Sequence, residues 1–314
     1  MSDIPAVIYL LAGVTAAGKS SISVKWAQQI GGEILSCDSV AVYRGMDIGS
    51  AKPSIPERQE VPHYGIDLVE VNEIFSVADY QVYVQKTVEE MKAKKKPIVV
   101  VGGSGFYLQS FLSPVVDDIK VSAEIRGQVE ELYSRKDLDG ILFELKKLNP
   151  DGLGEMDTLN PRRVMRGLER CLASGKSILE LKDEFEKKPN PFPEFEKQVL
   201  WLDRENDDLE IRISDRSQKM LEGGLLRETA ELMDAGIEGN APASNAVGYR
   251  ECIAHLKGDL PEEQLLEAIN YSTRRLVSKQ RKWFRKHLGE SARIVMDQSF
   301  ELDDPGHLNW IRHS

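Results

Sequence analysis

Cysteine is scarce in this chain. Three residues among 314 (Cys37, Cys171 and Cys252) stand far apart, odd in number and without metal-ligand spacing. That argues against a disulfide framework or a zinc site and favours a reducing compartment, so a cytoplasmic protein is expected. Long apolar runs are missing as well. The longest early one, Val7 to Gly13, is too short to span a bilayer and follows Asp3 and Pro5 rather than a basic segment. Neither a membrane partner nor a signal peptide is expected. Bases are the minority, 41 against 51 acids, and the net charge of −10 taken alone argues against a nucleic-acid partner. No repeat or low-complexity tract is visible. The 41% hydrophobic and 29% charged content is ordinary for a globular chain and too apolar for a disordered one. A length above about 250 residues suggests more than one packed unit, or one domain with a large insertion.

The first third alternates short β-rich runs with amphipathic helical stretches. Val7–Leu11, Glu33–Ser36 and Pro97–Val101 read as strands, and Val77–Lys94 reads as a helix. Near-continuous apolar strands alternating with helices predict a parallel sheet covered on both faces. From about Ser122 to Phe195 the chain turns charged, helical and strand-poor. One helical face carries Val129, Leu132 and Tyr133, another Ile141, Leu142, Leu145 and Leu148. The Pro-rich run Lys187–Pro193 breaks that pattern, and strand character returns at Gln198–Leu202 and at Arg293–Met296. The expected organisation is a core of residues 1–121 and 196–314 with an all-helical insertion at 122–195.

Gly13-Val14-Thr15-Ala16-Ala17-Gly18-Lys19-Ser20 matches G-x-x-x-x-G-K-[ST], straight after a strand and opening a helix. Glycines let backbone N–H groups turn inward around an anion, the helix N-terminus adds partial positive charge, and Lys19 adds a full one. Ser20 can hold Mg²⁺. The fold class is therefore α/β, a P-loop NTPase-like parallel sheet with helices on both faces plus the helical insertion. The ligand is phosphorylated, and the motif does not choose between a di- and a triphosphate.

A triphosphatase of this fold usually carries an acid at the end of a neighbouring strand. Here that strand runs into Gly102-Gly103-Ser104-Gly105, which either allows close backbone approach to a diphosphate or is a plain strand-to-helix turn. Asp203 is a candidate displaced Mg²⁺ ligand. Asp38 follows the second strand, at the carboxyl end where ligand crevices form, and can accept a proton or bind metal. As a lone residue it is equally a helix cap. Tyr43–Pro53 is too irregular for a strand or helix and reads as an ordered loop over the site.

The overall negative charge hides a basic face. Arg274, Arg275, Lys279, Arg281, Lys282, Arg285 and Lys286 lie between Thr273 and His287 with no acid among them. At about 100° per residue all fall within a sector of roughly 160°. Leu276, Val277, Trp283, Phe284 and Leu288 take the other side. Charge runs are commonly just solvated faces. A second cluster, Asn160-Pro161-Arg162-Arg163-Val164-Met165-Arg166, lies in the insertion. Two cationic surfaces beside a phosphate loop point to a polyanion larger than a nucleotide.

These residues resemble the bacterial tRNA dimethylallyltransferase (tRNA isopentenyltransferase) family over nearly the whole chain. The resemblance rests on Gly13–Ser20, Asp38-Ser39 with Tyr43–Pro53, Val61-Pro62-His63, Tyr80, Gly102–Leu108 and Asn160–Arg170. It continues through Arg212-Ile213 with Arg216, Val247–Glu251, Thr273-Arg274, Lys279-Gln280-Arg281 and Trp283-Phe284-Arg285. The resemblance implies transfer of a dimethylallyl group from its diphosphate to N6 of the adenosine 3′ of the anticodon (position 37), with Mg²⁺ and with the insertion gripping the anticodon stem-loop. It implies Asp38 as general base, Ser104 (where a threonine is more usual) near the diphosphate and incoming base, and Arg216 on the diphosphate. Segments resembling tRNA contacts are Asp38, Ser39, Val40 and Ala41; Arg162, Arg163, Val164, Met165 and Arg166; Asn245, Ala246, Val247, Gly248, Tyr249 and Arg250; and Arg126. Lys279, Arg281 and Lys282 are expected to add phosphate contacts, and a monomer is expected.

The sequence departs from the family at Val14, in place of the usual proline, and at Asn160–Arg163, in place of His-Pro-Asn-Asp. It has no zinc finger of the eukaryotic kind. Two rival readings remain. A phosphate-loop kinase of a small metabolite or nucleotide explains the cradle and Asp203 but not the cationic clusters. A non-catalytic, nucleotide-dependent RNA-binding protein gives Asp38 no task.

Overall fold

The computed structural model describes residues 6–296, 308 and 310–313. The chain forms two compact units, 1–113 with 191–314, and 114–190. In the first, β1 (Ala6–Gly13) is the apolar run ahead of the glycine motif, and α1 (Lys19–Ile30) opens directly behind it. β2 (Glu33–Ser36) follows, then α2 (Ile55–Glu60), the two-residue β3 (His63–Tyr64), α3 (Val77–Ala93), β4 (Ile98–Gly102) and α4 (Gly105–Leu112). Capping boxes start α2 at Ser54 with Glu57 and α3 at Ser76 with Asp79, each satisfying otherwise orphaned N–H groups. Sequence pattern alone does not separate α2 and β3, both too short for periodicity to register.

The second unit is all-helical: α5 (Ala123–Lys147), α6 (Pro161–Ser174) and α7 (Ile178–Glu186). α5 breaks at Asp137, whose φ of 52° is left-handed, so the two apolar stripes belong to two half-helices. Val129, Ile141, Leu145, Val164, Leu168, Cys171, Ile178 and Leu181 form its own core, while Leu148, expected on that face, is exposed. The unit spans 114–190 rather than 122–195, and its later bound falls before Phe192 because that ring packs on Phe111 and Phe195 in the sheet unit.

The chain then returns through β5 (Phe195–Arg204), α8 (Asn206–Glu222), α9 (Leu225–Asp234), the single turn α10 (Ala241–Ser244), α11 (Tyr249–Leu256) and α12 (Glu262–His287). It ends in β6 (Arg293–Met296) and β7 (Ile311–His313). Glu262 and Glu263 in the first turn of α12 and Arg285, Lys286 and His287 in its last complement the helix dipole.

The sheet order is β3-β2-β4-β1-β5-β6, all parallel, with β7 antiparallel on β5. Its register brings strand ends level: Ala12 faces Gly102, Ser36 faces Val101, and Gly13 faces Leu202. The loops after β1, β2, β4 and β5 therefore emerge side by side. That is where a doubly wound sheet places its ligand crevice. No helix among the described residues is long and apolar enough to cross a membrane.

Candidate active site

The cradle is held from beneath. Arg204 Nε donates to the Ala17 carbonyl at 3.1 Å and Arg212 Nε to the Ala16 carbonyl at 2.8 Å. Pinning these carbonyls on the outside of the turn leaves the loop's concave side to its N–H groups. Ala16 (φ 62°) and Gly18 (φ 95°) supply the left-handed residues that the turn requires. Val14 is buried, so its departure from proline does not reach a ligand. Three loop amides are already taken: Val14 N–H by the Leu202 carbonyl at 3.1 Å, Ala17 N–H by the Val14 carbonyl at 3.2 Å, and Thr15 N–H by Gln280 Oε1 at 2.9 Å. Ser20 is exposed in the first turn of α1.

Lys19 Nζ donates to the Val14 carbonyl at 2.8 Å and lines a cavity of about 160 Å³ together with Thr15, Ser20, Asp38, Arg216 and Gln280. Burial, then the Arg216 guanidinium, lower the Lys19 amine to about 8, with Asp38 opposing. Arg216 is likewise lowered by burial and supported by Asp38. Two half-buried cations press on each other here, with the Asp38 carboxylate near both. An entering polyanion relieves both.

Asp38 leaves the sheet just after β2. Its Oδ1 accepts the N–H groups of Val40 at 2.8 Å and Ala41 at 3.4 Å, an Asx-type turn that fixes the carboxyl group. Oδ2 has no hydrogen-bond donor among the described residues. No helix begins after Asp38, so the side chain closes a turn rather than capping a helix, and Oδ2 is the oxygen that these bonds leave open. Ser104 Oγ donates to Ser39 Oγ and accepts the Ser39 N–H, both at 3.0 Å, so its hydroxyl is turned toward the Asp38–Ser39 turn. The glycines around Ser104 make way for protein. A Cβ on Gly102 would lie 2.0 Å from the Cys37 carbonyl, on Gly103 2.4 Å from Gln280 Nε2, and on Gly105 2.6 Å from the Trp283 ring.

Tyr43–Pro53 forms an ordered loop. Lys52 is buried and bonds the Tyr43 carbonyl, Asp47 and Asp67, while Glu228 accepts the Ile48 N–H at 2.8 Å and the Tyr249 hydroxyl at 2.6 Å. Gly49 admits the Tyr249 ring, which would sit 2.5 Å from a Cβ. Lys52, Glu228, Arg204 and Gln280 do not stand out in the sequence as site residues. For Glu228, Arg204 and Gln280 the loop partners lie 177 or more positions away, and only the Lys-Gln-Arg and Tyr43–Pro53 segments hint at Gln280 and Lys52.

Several expected contacts are occupied otherwise. Asp203 is fully buried and holds Arg281 and Arg293, with Arg281 Nε at 2.9 Å and Arg293 Nη2 at 2.6 Å, so it has no oxygen to spare for Mg²⁺. Arg281 accordingly turns inward, also reaching Asn206 and the Arg204 carbonyl, and leaves the cationic face. Arg274 pairs with Glu210 and Glu267, and Arg285 with Glu290. Lys279, Lys282 and Lys286 remain at the surface, with no acidic partner among the described residues.

In the helical unit Arg162 and Arg163 are exposed at the start of α6, where Asn160 caps the helix. Arg166 pairs with Glu169 at 2.5 Å. Val164 is buried in that unit's core, and Met165 is half-buried and packs against it. Arg126 is exposed. Asn245 and Arg250 are exposed, Arg250 being paired with Glu251. Val247 is half-buried, and Ala246, Gly248 and Tyr249 are buried, Tyr249 serving the Tyr43–Pro53 loop rather than an outer surface. Ser39 is exposed, Val40 half-buried and Ala41 buried.

Residues 41–287 match the family model described as IPP transferase. The chain is 44% identical to a tRNA dimethylallyltransferase of Opitutus terrae, over 91% of this chain and 92% of that one. Among solved structures it is similar to the tRNA isopentenylpyrophosphate transferase of Bacillus halodurans at 30% identity and TM-score 0.66, covering 93% of this chain and 89% of that one. It is also similar to a eukaryotic dimethylallyltransferase acting on tRNA at 25% identity and TM-score 0.80, covering 97% and 76%. A phosphate cradle beside a fixed carboxylate, and likeness along nearly its full length, lead to one conclusion: this chain belongs to the IPP transferase family.

Proposed function

We propose that the chain transfers a dimethylallyl group from dimethylallyl diphosphate to N6 of the adenosine 3′ of the anticodon in tRNA. The observation that carries this reading is the meeting of Lys19, Arg216 and Asp38 in one cavity at the mouth of the phosphate loop. The C–O bond between the prenyl carbon and the diphosphate breaks while the N6–C bond forms. Charge grows on the departing oxygen, which Lys19, Arg216 and the free loop amides stabilise. The N6 lone pair is delocalised into the purine and attacks weakly. Asp38 Oδ2 orients the amine and takes its proton, base catalysis worth about 10²–10⁴-fold. The adenosine reaches the cavity only when unstacked, which a single-stranded loop makes cheap.

A diphosphate-bound Mg²⁺ needs few protein ligands, and the exposed Ser20 hydroxyl at the cavity edge is a hard oxygen donor of the kind it takes. Ser20 Oγ would hold it, and when bound it neutralises diphosphate charge. Arg126, Arg162, Arg163, Lys279 and Lys282 would serve the tRNA backbone, contributing affinity that falls with salt. A kinase loses the acid that had favoured it, since Asp203 is consumed by two arginines. The deciding experiment incubates the protein with dimethylallyl diphosphate, Mg²⁺ and unmodified tRNA. Mass analysis of the digested nucleosides is expected to show adenosine carrying the prenyl mass. ATP consumption without such a product would overturn the reading.

A further inference from the structure

Gln280 stands between Lys279 and Arg281 in the basic stretch of α12, yet it is uncharged and faces the cavity wall. Its Oε1 accepts the Thr15 N–H of the phosphate loop at 2.9 Å. Its Nε2 donates to the Gly103 carbonyl at 3.1 Å, in the turn that carries Ser104. One side chain thus joins the phosphate loop to the turn after β4. Close packing reinforces the joint: Gly103 lacks the Cβ that would strike Gln280, and Gly105 lacks the one that would strike Trp283, nearly one turn further along α12.

We propose that Gln280 is a positioning residue for the transfer reaction, an amide strap that sets the distance between the diphosphate cradle and the Asp38–Gly103 side of the cavity. This rests on the prenyl-transfer reading. The strap needs an acceptor for Thr15 and a donor for Gly103 at once. Lys and Arg have no acceptor, and an ionised Glu has no donor and sets a negative charge beside the leaving diphosphate. Transfer is sensitive to this spacing because a misplacement of about 1 Å can cost on the order of 10²-fold in rate.

The test compares the parent with Gln280→Met, which keeps length and removes both bonds, and with Gln280→Glu. For Gln280→Met, kcat is expected to fall by about tenfold or more. The tRNA Kd and the KM for dimethylallyl diphosphate should stay within a few-fold, and the melting temperature should hold. Deuterium uptake should rise in segments 13–18 and 102–105 and nowhere else. A protonated Glu side chain restores both bonds, since its carbonyl accepts and its O–H donates. The activity of Gln280→Glu relative to the parent should therefore climb as pH is lowered from about 8 toward the carboxyl range. Unchanged uptake in the two segments overturns the strap whether or not the protein transfers prenyl groups. Turnover of Gln280→Met within twofold of the parent, or a loss that follows melting temperature and is flat in pH for Gln280→Glu, overturns its role in positioning. A parent with no turnover sinks the prenyl-transfer reading instead, and the exchange data still decide the strap.

Discussion

Asp38 divides its work between its two oxygens, one committed to the Val40 and Ala41 amides and one open to the cavity. Asparagine preserves the first role and removes the second. Asp38→Asn is therefore expected to keep tRNA affinity and melting temperature while kcat falls by about 10²–10⁴-fold. Turnover within a few-fold of the parent would assign the base elsewhere. Lys19 gives a second test at this scale. Its amine, held near 8 chiefly by burial, is a cation below that value and neutral above it. Affinity for inorganic diphosphate should be full below about pH 8 and decline as pH rises through it. Calorimetry above that pH should show a proton taken up on binding, because the anion favours the charged amine. Affinity flat between about pH 7 and 9.5 would separate Lys19 from the anion.

At the scale of the element, α12 shows how far a helical wheel carries. Spacing alone puts seven cations on one sector, but Arg274, Arg281 and Arg285 have acidic partners. Arg281 departs because a long side chain can leave its own face, and a buried carboxylate 78 positions earlier attracts it. Its removal is thus a stability experiment. Arg281→Ala leaves Asp203 with Arg293 and is expected to cost about 2 kcal/mol by urea unfolding. Substituting Lys279, Lys282 and Lys286 together by Gln should leave stability unchanged and weaken tRNA binding. The slope of log Kd against log salt should shrink by about one for each phosphate that is no longer neutralised. An unaltered slope would remove this helix from the RNA surface. The same limit applies to α6, where the three-arginine cluster is legible in sequence but Arg166 is engaged by Glu169.

Across the whole molecule the three cysteines lie buried in separate places. Burial pushes all three thiols up, Cys252 to about 11, so little thiolate exists at about pH 8. A thiol reagent should titrate none of them promptly in the native protein and all three in denaturant. Prompt reaction of one would show that its surroundings open.

Local pattern was enough for the parallel-sheet core, the phosphate loop and a helical segment, read at 122–195 and found at 114–190, and it singled out Asp38 as a candidate carboxylate. Each is written in neighbouring residues: strand runs, glycine spacing, an acid placed just past a strand. Which charges are free and which are bound emerged only on folding. Thr15 meets Gln280 across 265 positions, Ile48 meets Glu228 across 180, and Asp203 claims Arg281 and Arg293. A side chain's partner is chosen by the fold's register and burial, and no pattern within a few turns of the chain contains that information.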